Sequence, residues 1–147
     1  MKLSGTATVP VPLERAYALL QDPAVLARCM PGCEALDAIG EGEYAMRMKM
    51  ALASMSGLFQ GKVRVAEQSP PTSFRLIVEG AGKIGFMKGD GVLTLAANSP
   101  QTAVAFAGEV QVGGTIAAVG QRLMETTAKM LIKRFFEKLG AEAAAVH

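Results

Sequence analysis

The sequence predicts an α+β domain in which a curved antiparallel sheet of about seven strands holds one long C-terminal helix. Three observations predict it. Strand-like segments follow one another from residue 33 to residue 113, the links between them are short and rich in turn formers, and from residue 115 the apolar spacing turns helical. Short links favour antiparallel neighbours, because a parallel return needs a crossover of roughly a dozen residues. At 147 residues the chain is one domain, spanning 1–147, with no repeat, low-complexity tract or linker.

The elements follow in order. Residues 3–9 read as a strand. "PLERAYALL" reads as a helix with Pro12 at its first position and Leu13, Ala16, Tyr17 and Leu20 on one face. Asp22-Pro23 ends it, and Asp22 caps a second short helix, "PAVLARCM", which Pro31-Gly32 terminates. Strands are expected at 33–39, 43–53, 57–67, 73–81, 84–97 and 102–113, separated by "GEG", "SMSG", "QSPPTS", "GAGK" and "NSPQ". Glycine makes up 16 of the 147 residues, and many fall inside these strands, where they mark bends or close approaches. The last segment reads as a helix capped by Thr115, with Ile116, Val119, Leu123, Met130, Leu131 and Phe135 inward. About 25 residues at 1.5 Å each make roughly 37 Å of helix, enough to cover a strand of about 33 Å.

Composition excludes several function classes. The net charge of +2, with 5% aromatics and no Trp, does not make a nucleic-acid surface. No apolar run approaches the ~20 residues of a membrane span, and "MKLSGTATVP" lacks the apolar block of a signal peptide, so a cytoplasmic protein is expected. Cys29 and Cys33 flank a Pro-Gly turn as small apolar residues. Zinc would need about four ligands, and the one His is the last residue, His147. No Ser–His or Cys–His pair can therefore form inside the fold, and no catalytic residue is assigned. The strand carboxylates Glu79, Asp90 and Glu109 are expected to face solvent. "GGTIAAVG" runs from strand into helix but lacks the Lys-Ser/Thr of a phosphate loop; its glycines are read as serving tight passage, with close packing at Gly120.

Several motifs, in order, carry a resemblance: "CMPGC" at 29–33, "SGLFQGKV" at 56–63, "GAGKIGFMKGDGVLTL" at 80–95 and "VQVGGTIAAVGQRLMETTAKMLIKRFFEKL" at 110–139. From about residue 2 to 139 the chain resembles the carbon monoxide dehydrogenase G-subunit family of the START/polyketide-cyclase-like superfamily, whose fold is the helix grip. The resemblance implies an accessory protein for a molybdenum hydroxylase such as carbon monoxide dehydrogenase. It also implies handling of a hydrophobic quinone and recruitment to the inner membrane face. Many relatives continue into a membrane-binding tail, whereas this sequence ends "AEAAAVH", so anchoring is not expected of this stretch alone.

The candidate site follows from alternation. Tyr44, Met46, Met48 and Met50 share one face of a strand, with Arg47 and Lys49 on the other. Methionine is flexible and polarizable and suits both irregular cores and tolerant binding surfaces, so the stripe either fills a core or lines a cleft. With the fold the resemblance implies, a ligand-lining role is expected, joined by Phe59, Val63, Leu76, Phe106 and Val110 from the sheet and by Ile116, Leu123 and Met130 from the helix. Gly61 and Gly108 either leave room in the cleft or bend the sheet. Lys129 and Lys133 sit on the charged helix face as candidate contacts to a partner protein, a face that otherwise simply meets solvent. The expected function is a non-catalytic binding module for a quinone- or lipid-like molecule, with no covalent cofactor and with peripheral membrane association as an option. The alternatives are a docking factor with a packed interior, and a small cyclase-like enzyme.

Overall fold

The computed structural model describes residues 1–145. Alternation of side chains is visible from the first strand, β1 (Lys2–Val9), where Leu3, Gly5, Ala7 and Val9 turn inward and Ser4, Thr6 and Thr8 outward. Two short helices follow, α1 (Leu13–Leu19) and α2 (Pro23–Cys29). Pro12 stands one place earlier than the sequence reading put it, as the extended N-cap of α1. Asp22 caps α2 as expected: its carboxylate accepts from the backbone N–H of Ala24 at 3.0 Å and of Val25 at 3.4 Å. Gly32 ends this stretch at φ +84°, where a Cβ would lie 2.2 Å from the carbonyl oxygen of Lys49.

Six strands run on without a helix: β2 (Cys33–Gly40), β3 (Glu43–Leu52), β4 (Met55–Ser69), β5 (Ser73–Gly82), β6 (Gly85–Asn98) and β7 (Gln101–Gly113). Pairing is antiparallel throughout, in the order β1-β7-β6-β5-β4-β3-β2. Strands β1 and β2, neighbours in sequence, therefore lie at opposite edges, and α1 and α2 carry the chain between them. Links such as Ala53-Ser54 and Lys83-Ile84 contain only two residues, which forces the adjacent strands to pair with each other.

Glycine bends the sheet. Gly61 pairs with Gly80, and Gly91 with Gly108. A Cβ on Gly61 would lie 1.8 Å from the Glu79 carbonyl oxygen, and one on Gly108 would lie 2.6 Å from that of Asp90. Neighbouring backbone occupies the volume a side chain would need, so these two glycines serve close strand approach and curvature.

The concave face meets α3 (Gln121–Ala145), 25 residues long. This helix starts later than the sequence predicts. Residues Thr115–Val119 form a separate 3-10 turn after Gly114, and Gly120, at φ +96°, redirects the chain before α3 begins. Thr115 is therefore not a cap. Gly120 is not packed closely either: a Cβ there would meet nothing within 4 Å, so what the position requires is the positive φ. The break resets the helical phase. In α3 the fully buried residues are Phe135, Leu139 and Ala143. Counting back by three and four residues from Phe135 leads to Leu131, Ile132, Ala128 and Met124. Leu123 and Met130 stand about 100° away from that line. Both are exposed, at 37% and 41%.

The buried residues form three clusters. The largest joins Val9, Tyr17, Phe74, Val104, Phe135 and Leu139 where α1, α2 and the C-terminal half of α3 close one end of the sheet. A second centres on Met46, Met48 and Val63, and a third on Leu52, Phe59 and Ile116. Between them the interior is not filled.

Candidate functional site: a methionine-walled cavity

The unfilled space is a cavity of about 380 Å³ between the sheet and the first half of α3. Methionine dominates its wall. Of the nine methionines, only Met55 and Met130 stand away from it. Met46 and Met48 are each 7% exposed and turn inward from β3, while Arg47 points out and pairs with Glu34 at 3.2 Å. A Cβ on Gly80 would lie 3.1 Å from Cε of Met46, so glycine on β5 makes room for that thioether.

Nine of the twelve residues expected from sequence border the cavity: Met46, Met48, Met50, Phe59, Val63, Leu76, Phe106, Val110 and Ile116. Three do not. Tyr44 packs against the Met46–Met48 cluster without reaching the wall. Leu123 and Met130 point away from it because of the reset at Gly120. In their place α3 presents Met124, Thr127, Ala128, Leu131 and Ile132, with Phe135 and Phe136 beyond. The sequence reading missed Met1, Met30, Met87 and Met124. Their signal was the methionine count itself, since each stands alone in its own segment and makes no stripe.

Polar groups on the wall are few. Asp90 and Glu109 border the cavity between small residues of β6 and β7, but both are exposed, as is Glu79. The carboxylate of Asp90 accepts from Nε of Arg75 at 2.7 Å, and that guanidinium also donates to Glu67 at 3.1 Å. The hydrogen bond from Arg75 holds the Asp90 carboxyl below the usual carboxylate range. Cys33 borders the cavity too, and burial pushes its thiol up. Cys29 is buried beside α3. Burial first, and then its hydrogen bond to Glu142 at 3.4 Å, push its thiol up to about 11. Both cysteines are neutral thiols near pH 7, without the lowered pKa a nucleophile needs. Among the described residues no three His, Cys, Asp or Glu side chains cluster to hold a metal; His147 lies outside them. The turn at Thr115 spends its first amide on the fold, since Ile116 N–H donates to the Ile84 carbonyl at 2.7 Å. Such a site can take up an apolar molecule and offers it little that reacts.

A second, open groove of about 450 Å³ runs between β1 and α3. Lys129 and Lys133 line it, with Lys129 bridged to Glu125 at 3.3 Å. No helix of the described residues is long and apolar enough to cross a membrane.

Comparison with known proteins agrees with this geometry. A crystal structure of a conserved protein from Geobacillus kaustophilus is 32% identical, with a TM-score of 0.94 over 100% of this chain and 97% of that one. A START superfamily protein from Mycobacterium smegmatis, 13% identical, superimposes with a TM-score of 0.73 over 99% of each chain. An aromatase/cyclase from a Streptomyces species, 14% identical, does so at 0.61 over 98% of this chain and 93% of its own. These two likenesses establish the START-like helix-grip fold. No curated protein matches the chain. The profile of CoxG, the G-subunit family of carbon monoxide dehydrogenase, matches residues 5–144, nearly the whole domain. With that span matched, and the curved sheet gripping α3 as the sequence predicts, the chain belongs to the carbon monoxide dehydrogenase G-subunit (CoxG) family.

Proposed function

We propose that the protein is a non-catalytic carrier that holds a quinone- or lipid-like molecule in the methionine-walled cavity and serves a molybdenum hydroxylase of the carbon monoxide dehydrogenase kind. The observation that carries this reading is the wall: seven methionines from five segments of the chain converge on one space that the core leaves unfilled. A core built for stability alone would close such a space, because each removed contact costs dispersion energy. At about 380 Å³ the cavity falls within the usual range for small-molecule pockets, roughly 300–1,000 Å³. Burial supplies the affinity, at about 2.5 kcal/mol per 100 Å² of apolar surface removed from water. Thioethers on flexible stems adapt to a tail of irregular shape. The family's name supplies the partner, since its members are subunits named for carbon monoxide dehydrogenase.

The aromatase/cyclase among the structural neighbours raises an enzymatic alternative. It is disfavoured by the wall, whose side-chain polar groups are a neutral thiol at Cys33 and a hydroxyl at Thr127, with the carboxylates of Asp90 and Glu109 exposed.

The test is organic extraction of the purified protein with mass spectrometry of the extract, followed by uptake of decylubiquinone by the emptied protein. The expected result is a bound hydrophobic molecule and saturable uptake. Met48→Lys, which places an ammonium in the cavity, is expected to abolish uptake while the circular dichroism spectrum stays unchanged. An empty protein that also refuses the quinone would falsify the proposal.

A further inference from the structure

The cavity and the outer groove share a wall. Leu3, Phe106, Ile132 and Phe136 border both. The rings of Phe106 and Phe136 stack at 6.0 Å between centroids and 18° between planes. Room for the first ring comes from β1: Gly5 pairs with Phe106, and a Cβ on Gly5 would lie 2.7 Å from its Cζ. The partition is thus one layer of side chains. Beside it, α3 is held at its far end by Phe135, Leu139 and Ala143, and no residue from 121 to 134 is fully buried. Phe106 and Phe136 are both half-buried, and side-chain rotations of partly exposed residues are fast.

The groove differs from the cavity in chemistry. Its walls add the ammonium groups of Lys129 and Lys133, which are hydrogen-bond donors. β1 is an edge strand, so no further strand pairs with its outer side. We propose that this groove is the head compartment of the ligand site, which rests on the reading that the cavity binds a tailed molecule. The tail lies among the methionines. A flat head bearing carbonyl oxygens rests against the Phe106–Phe136 pair and accepts hydrogen bonds from Lys133 and from the open backbone edge of β1. A neutral carbonyl head suits the groove better than a phosphate: Glu137 also lines it, and Lys129 is already bridged to Glu125.

The test compares two probes, decylubiquinone with head and tail, and N-phenyl-1-naphthylamine, an apolar probe without a carbonyl head. Two variants, Ala141→Trp and Lys133→Glu, alter exposed residues of α3 that line the groove but not the cavity. Each is expected to weaken quinone binding about tenfold, as for a lost charge-assisted hydrogen bond or a blocked compartment, and to leave the naphthylamine within about twofold. The inference is overturned if neither variant weakens the quinone, if both probes weaken alike, or if the wild type takes the naphthylamine and refuses the quinone. The last result spares the cavity as an apolar site, whereas refusal of both probes removes the proposed function along with this inference.

Discussion

Nε of Arg28 donates to Oε1 of Glu142 at 2.9 Å, tying α2 to the end of α3 across 114 positions of sequence. The same carboxylate accepts from Sγ of Cys29 through its other oxygen. One side chain thus joins α2 to the long helix at the end where the core is packed.

This pairing makes stability depend on pH in a stated direction. The hydrogen bond from Arg28, opposed by burial, holds the Glu142 carboxyl below its usual range. The contribution is complete above the ordinary glutamate value of about 4.3 and is lost as pH falls through the lower folded value. The melting temperature of the wild type should exceed that of Glu142→Gln at pH 7 by a small margin, because Arg28 is largely exposed and screened. That margin should shrink below about pH 4.3. Asp90, held down by Arg75, loses its own contribution in the same acid range in both proteins and cancels from the comparison.

The thiols should be slow to react. Native protein mixed with a thiol reagent near pH 8 is expected to show no promptly reacting cysteine, and denaturant should release both, since burial raises Cys29 and Cys33 alike. A rapid reaction at Cys29 in the native state would mean that α2 does not seal against α3.

The phase of α3 is tested by truncation. Leu139 is 0% exposed, and Leu139→Ala should cost roughly 2–5 kcal/mol in denaturant unfolding. Leu123→Ala and Met130→Ala should each stay within about 0.5 kcal/mol of wild type, as exposed positions do. Equal losses at all three positions would place Leu123 and Met130 inside after all.

How far the site could be read in advance depends on how far apart its residues lie in the chain. Met46, Met48 and Met50 announce themselves because a strand sends alternate side chains to one face, and no distant residue is needed to see it. The same holds for the apolar faces of β4, β5 and β7, and for the turn residues that set the hairpins. Met30, Met87 and Met124 carry no such local pattern. The role of Gly61 also had two readings until the carbonyl of Glu79 was found where its side chain would go.

Local periodicity in the chain therefore determined the strands, the hairpins, the capped short helix and the inward face of β3, since each is a property of neighbours in sequence. Tertiary packing decided the rest. It carried β1 and β2 to opposite edges, turned α3 about Gly120 so that Met124 rather than Leu123 faces inward, and gathered methionines from five separate segments onto one wall. Those outcomes depend on how a bent sheet and a helix meet, and the spacing of residues along the chain does not encode that meeting.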